Sequence, residues 1–240
     1  MGYNTINIDK EYQLIAVNFQ GIDGNAMSIQ DAVPPNENMT QGSGATAADQ
    51  IQIMDADGNY VAYYLSNGKA GKASYPETTG KWVVTSNTKV PADVKIQTGT
   101  AFWFVSKTGA VQPYTITVAG SVLMSSNDPK VLTQAYSLIG NPYPCDIPLN
   151  GGIDAVNGTQ GAGATVADQI QVMGDDGNYV AYYLSNGKAG KASYPETEGK
   201  WVLSSNTKVP TDAVLPAGKG AWFVRKNDAT SLNFVSPLAK

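Results

Sequence analysis

Three stretches of the sequence carry residue types that do chemistry elsewhere. The first is GKAGKAS, at residues 68–74 and again at 187–193. A phosphate-cradling loop needs four residues between its glycines, then Lys and Ser or Thr, then a helix. Here only Lys69 and Ala70 separate Gly68 from Gly71, Ala73 follows Lys72, and Pro76 opposes a helix. The loop therefore reads as a turn-rich connection and not as a nucleotide site. The second stretch, DADGN at residues 55–59, has the acidic start of a calcium loop. Counting from Asp55, the twelfth position holds Ser66 instead of the required Glu, and Gly174 replaces Asp55 in the second occurrence. A tight hairpin turn accounts for the pattern better. The third feature is the acid pair that glycoside hydrolysis needs. Glu77 and Glu196 recur, but no repeated acidic partner stands beside them. The chain has no histidine and a single cysteine, Cys145, which excludes Ser-His-Asp and Cys-His catalysis, Cys/His zinc sites and a disulfide framework. No metal or cofactor is implied.

Aromatic and basic residues around GKAGKAS suggest binding instead. Tyr60, Tyr64, Tyr75 and Trp82 recur as Tyr179, Tyr183, Tyr194 and Trp201. Lys69, Lys72 and Lys81 recur as Lys188, Lys191 and Lys200. Exposed aromatics beside polar groups suit a sugar, and the lysines suit an acidic partner surface or acidic glycan. The competing expectation is that the loop folds back as a lid over Tyr60 and Tyr64, and that the lysines are only solvated. Trp103, in the all-apolar AFWFV, and Tyr63, on the face of Val61 and Leu65, are expected in the core.

These residues sit inside a long internal repeat. TQGSGATAADQIQIMDADGNYVAYYL starts at Thr40 and TQGAGATVADQIQVMGDDGNYVAYYL at Thr159, a shift of 119. DGNYVAYYLSNGKAGKASYPET is identical in both copies, although loops ordinarily tolerate change. Upstream, YQLIAVNF from Tyr12 corresponds to YSLIGNPYP from Tyr136, a shift of 124. The chain thus divides into units at 1–124 and 125–240, joined near SSNDPK.

DQIQIM alternates Ile51 and Ile53 against Gln50 and Gln52, and NYVAYYL alternates Val61, Tyr63 and Leu65 against Tyr60, Ala62 and Tyr64. QLIAV, KWVV, AFWFV and YTITVAG complete the strands, and DADG and GDDG make the hairpin turns. Only SIQDAV and GIDAV suggest short helical turns. The fold class is all-β: two tandem, internally duplicated antiparallel sandwich or barrel-like units.

Composition narrows the partners. Charged residues are 15% of the chain and the net charge is −4, which disfavours nucleic acid. No apolar run spans a membrane. MGYNTINIDK lacks the regions of a signal peptide, so export would require that a leader had already been removed.

The order YSLIGNPYP, ADQIQVMGDDGNYVAYYL, GKWV, LPAGKGAWFV and LNFV resembles a β-domain repeated in secreted bacterial surface proteins. The first unit departs from the pattern, with AVNFQG for GNPYPC and QTGTAFWF for PAGKGAWF. The resemblance implies an extracellular or cell-surface, non-catalytic module. The expected function is structural or adhesive, with self-association head to tail through unit ends. The alternative is carbohydrate binding within a larger secreted protein, and a weaker alternative is a carboxylate-based glycoside hydrolase. The partners expected are a second copy of the chain or a cell-surface glycan.

Overall fold

The computed structural model describes residues 1–126, 129–227 and 229–238. The joint expected at SSNDPK falls partly on residues 127 and 128, which lie outside the described residues. The protein is all-β. In the first half the main strands are β1 (Gly2–Ile8), β2 (Tyr12–Ala16), β3 (Gln50–Met54), β4 (Tyr60–Leu65), β5 (Trp82–Val84), β6 (Ala101–Val105) and β7 (Tyr114–Gly120). In the second half they are β8 (Lys130–Leu132), β9 (Tyr136–Gly140), β10 (Ile153–Val156), β11 (Gln169–Met173), β12 (Tyr179–Leu184), β13 (Trp201–Leu203), β14 (Gly220–Val224) and β15 (Thr230–Phe234).

Each half builds a five-stranded antiparallel sheet in the same spatial order. In the first it runs β2-β6-β3-β4-β5, and in the second β9-β14-β11-β12-β13. The register pairs Ile51 with Tyr63 and Gln52 with Ala62, so the sequence alternation becomes two chemically distinct faces. One face carries Ile51, Leu65, Phe102 and Phe104, which close a core with Ile6 and Ile8 of β1 and Ile116 and Val118 of β7. The second core repeats this with Ile170, Leu184, Phe223, Leu232 and Phe234. Burying such side chains is worth roughly 1.5–3 kcal/mol each.

A tryptophan anchors each core. Trp82 and Trp201 are buried, packed edge-on to Phe104 and Phe223 at 6.2 and 6.3 Å. Their indoles donate to the carbonyls of Val33 and Ile153, at 2.7 and 3.0 Å. The side-chain amides of Gln30 and Asn150 pair with the backbone of these tryptophans as an added strand would.

The helical turn expected in SIQDAV forms at Ile29–Ala32, where Ser28 accepts the Asp31 amide as an N-cap. GIDAV behaves differently. A short turn precedes it at Leu149–Gly152, and Ile153–Val156 is a strand paired with β15. The unpaired edge of β15 supplies backbone partners that outweigh a weak local helical tendency, and the branched Ile153 and Val156 favour extension.

A buried aspartate locks each half. Asp49 accepts bonds from the Thr40 and Lys107 amides and from the Tyr114 hydroxyl, at 3.1, 2.7 and 2.7 Å. Asp168 accepts from the Thr159 and Lys226 amides and the Thr230 hydroxyl, at 3.0, 2.8 and 2.9 Å. Charge-assisted bonds of this kind compensate the burial of a carboxylate.

The two large sheets meet through reciprocal contacts. The Ala16 amide donates to Gly218 and the Gly140 amide to Gly99, at 2.9 and 3.0 Å. Lys10 donates to the Asp175 carbonyl at 2.6 Å, and Gln134 to the Ala56 carbonyl at 2.9 Å. Leu14, Ala16, Ala101 and Leu138 fill the joint, flanked by Met54, Trp103 and Trp222. A contact in which each side offers the other the same groups is isologous and closes on itself. The contact between the two halves, among the described residues, is of this isologous kind.

Two glycines permit the approach. A Cβ on Gly140 would lie 2.5 Å from the Cβ of Ala16, and one on Gly220 would lie 2.6 Å from the Cβ of Ala101. Gly220→Ala is expected to cost about 1–3 kcal/mol by overpacking. Gly163→Ala, at an open position, is expected to be near neutral. Thermal melts of the two variants check this.

A pH effect also follows. Burial holds the Tyr114 hydroxyl above its ordinary value; the hydrogen bond to Ser106 opposes this, and the hydrogen bond to and charge of the Asp49 carboxylate add to the rise. Above pH 10, the ordinary tyrosine value, the unfolded chain loses a proton that the folded chain keeps. Stability is thus fully present below pH 10 and falls as pH rises further. Tyr114→Phe is expected to be less stable at neutral pH but to show a flatter decline from pH 10 upward, as read by denaturant midpoints.

Candidate functional site

The second face of each large sheet carries Tyr12, Gln52, Trp103 and Tyr60 in the first half and Tyr136, Gln171, Trp222 and Tyr179 in the second. Cross-strand pairing sets Trp103 beside Gln52 and Trp222 beside Gln171. This face is only partly covered by the joint. A cleft of about 360 Å³ remains, lined by Tyr12, Gln52, Tyr60 and Trp103 of one half with Met173 and Tyr179 of the other.

Polar groups fix the aromatic rings. The Trp103 indole donates to the Tyr60 hydroxyl at 3.3 Å, and the Trp222 indole to the Tyr179 hydroxyl at 3.2 Å. Tyr136 packs edge-on to Trp222, with ring centroids 6.4 Å apart. Each accepting hydroxyl keeps its own proton to donate outward. Burial pushes the Tyr60 and Tyr179 hydroxyls above their ordinary value, the indole bonds opposing it, so both stay protonated at neutral pH. The Gln52 amide donates to Gln50, whose own amide donates to the Ala45 carbonyl. Gln171, Gln169 and Ala164 repeat the chain. Each relay ties the amide nitrogen of the cleft glutamine to the next glutamine on the same face of its strand and so fixes its side chain.

Among the described residues the cleft lining is uncharged, and the charged groups of the joint lie elsewhere. Lys10 is tied to the turn carbonyls of Gly174 and Asp175. Lys130 donates to the Leu138 carbonyl at 2.9 Å, and burial pulls its amine down to about 8. In the hairpin turns the carboxylates bond their own loops. Asp55 accepts the Asp57 and Asn59 amides, and Asp176 accepts the amide and side chain of Asn178. Among the described residues no group of three or more His, Cys, Asp or Glu is placed to hold a metal ion. Among them also, no helix is long and apolar enough to cross a membrane.

The aromatic and basic candidates read from the sequence separate into three sets. Tyr60 and Tyr179 lie in the cleft, 43% and 40% exposed. Tyr64, Tyr183, Trp82 and Trp201 are buried and present no surface. Tyr64 packs with Ala45, Ala48 and Val83, and Tyr183 with Ala164, Ala167 and Val202. Lys69, Lys72, Lys81, Lys188, Lys191 and Lys200 are exposed, and Tyr75 and Tyr194 half-buried, around the loop that follows the far ends of β4 and β12. With Tyr60 open and no loop residue among those lining the cleft, the loop is not a lid on Tyr60. Tyr63 is in the core, as expected. Trp103 is not fully buried: it flanks the joint and opens on the cleft. Sequence reasoning missed it because AFWFV is apolar on both sides, and a joint needs an apolar outer face as much as a core does. Tyr12, 52% exposed, was missed because it opens a short strand without a visible partner. The signal that finds both is register: Trp103 pairs with Gln52, a residue already placed on the outer face.

The copied loop has its own internal order. Ser66 and Thr78 hydroxyls bond at 3.0 Å, Thr78 also donates to the Tyr75 carbonyl at 2.8 Å, and the Gly68 amide donates to Ser66 at 3.0 Å. Gly68 has φ +78°, and a Cβ there would lie 2.2 Å from Thr79. Ser185, Thr197, Tyr194 and Gly187 repeat these bonds.

No protein family, characterised protein or solved structure matches the chain.

Thr78→Val and Thr197→Val are each expected to lower stability by about 1–3 kcal/mol, because buried polar partners are orphaned. Lys69→Ala and Lys72→Ala are expected to stay within about 0.5 kcal/mol. Denaturant unfolding of the four variants distinguishes a loop held by its polar interior from one held by its charges.

Proposed function

We propose that the protein is a non-catalytic, extracellular adhesive module that binds a neutral glycan, built as a duplicated pair of β-units at 1–124 and 125–240. One observation carries the binding reading: the uncharged aromatic cleft, in which indole-to-hydroxyl bonds hold the partly exposed Tyr60 and Tyr179. Sugars present C–H faces that stack on aromatic rings and hydroxyls that bond to amides and phenols, and this lining offers both. Binding is favoured over hydrolysis because, among the described residues, none lining the cleft is acidic, whereas glycosidases work through two carboxyl groups. The extracellular placement is supported by the resemblance of the second unit to secreted surface repeats.

Self-association is a second reading, carried by strand β1. It pairs along seven residues with β7, among the described residues no strand lies on its other side, and Tyr3 on it is 76% exposed. Such an edge accepts a further strand. Light scattering across a wide concentration range tests it: growth of particle mass supports self-association, and a constant monomer mass rejects it.

The glycan reading is tested by co-sedimentation with insoluble neutral polysaccharides. Binding to at least one is expected, with Tyr60→Ala and Tyr12→Ala weakening it tenfold or more, which is about 1.4 kcal/mol. Lys69→Ala with Lys72→Ala is expected to leave it unchanged. Failure to bind any neutral polysaccharide overturns the reading.

A further inference from the structure

The reciprocal contacts of the joint have a consequence for ligand architecture. If each half carried its own site, each site would be lined by that half alone. The cleft is lined instead by Tyr12, Gln52, Tyr60 and Trp103 together with Met173 and Tyr179. The Ala16–Gly218 and Gly140–Gly99 hydrogen bonds relate the two halves by reciprocal contact, so Tyr136, Gln171 and Trp222 stand to the second half as Tyr12, Gln52 and Trp103 stand to the first. Tyr60 and Tyr179 are the pair shared across the joint.

Resting on the glycan-binding reading, we infer that the joint forms one composite site for an internal segment of a neutral, unbranched polysaccharide, contacted by both halves at once and accepted in either chain direction. Three observations support this form. First, Tyr12, in the wall of the cleft, is 52% exposed, and Tyr136, its counterpart on the outer face of the second half, is 61% exposed, so the aromatic surface stays open beside the cleft and does not enclose a chain end. Second, a two-fold relation reverses the direction of any chain laid across it while presenting the same residue types. Either direction of a directional chain then meets equivalent contacts, and successive like units of a repeating polymer can occupy both halves at once. Third, among the described residues the lining holds no charge, so a neutral polymer enters without leaving an unpaired buried ion. Joining two half-sites on one ligand also raises affinity with ligand length, because the second contact becomes intramolecular.

Calorimetric titration with a ladder of neutral oligosaccharides, cut from whichever polysaccharide the chain sediments with, tests the inference. The long oligomers are expected to bind one per chain. Affinity is expected to rise at least tenfold from disaccharide to the longest oligomer. Tyr60→Ala and Tyr179→Ala are expected to weaken the long oligomer by equal factors, within about threefold of each other. A spin label at the reducing end is expected to broaden NMR signals near both Tyr12 and Tyr136. Binding of two long oligomers per chain, loss confined to one half's variants, or broadening on one side only overturns the composite site while leaving glycan binding intact. Absence of binding by every oligomer and its parent polymer overturns the glycan reading itself. Circular dichroism of each variant establishes that the fold is retained.

Discussion

The close approach of the two large sheets governs everything that follows from this structure. It depends on backbone reaching backbone, Ala16 to Gly218 and Gly140 to Gly99. That reach is available only because Gly140 faces Ala16 and Gly220 faces Ala101, each pair with room for one methyl and not two. The first half supplies alanine and the second supplies glycine at corresponding positions. A pairing of two first halves in this geometry would set alanine against alanine, so the joint favours first with second. Were the sheets farther apart, Tyr60 and Tyr179 would not line one cleft, and Trp103 and Trp222 would be exposed indoles on separate surfaces.

Each half must be rigid for such an interface to be specific. The cores meet this need with a buried tryptophan whose indole has a carbonyl partner and whose backbone is clasped by an amide side chain. The buried Asp49 and Asp168 tie the start of a central strand to two distant segments. These devices use polar groups inside a protein whose surface is poor in charge. They place strand ends by directed bonds where apolar packing alone would allow slippage.

Much of the fold was legible in the sequence because period-two alternation translates directly into sheet faces. Ile51 and Ile53 against Gln50 and Gln52 gave the inner and outer sides correctly, as did Val61, Tyr63 and Leu65 against Tyr60, Ala62 and Tyr64. The site was less legible. Alternation says which residues leave the core, not what covers them afterwards. Tyr60 and Tyr64 share a face, yet Tyr64 is covered by Val83 and a short helical turn at Ala45–Ala47 while Tyr60 stays open. Trp103 looked like core because nothing local distinguishes a joint from an interior. The unchanged copied loop drew attention as a binding element, whereas its Ser66, Gly68, Tyr75 and Thr78 form a small polar core of their own. That internal order gives a physical reason for both copies to keep the same residues.

The four tryptophans allow the central claim to be read optically. Trp82 and Trp201 are buried in the two cores, while Trp103 and Trp222 flank the joint beside the aromatic cleft. The most direct measurement is acrylamide quenching of tryptophan fluorescence with and without a neutral polysaccharide that the protein sediments with. The account predicts that the ligand protects a quenchable fraction, and that this protection disappears when Trp103 and Trp222 are both replaced by phenylalanine. Protection that persists in that double variant, or ligand binding without any protection, would contradict it.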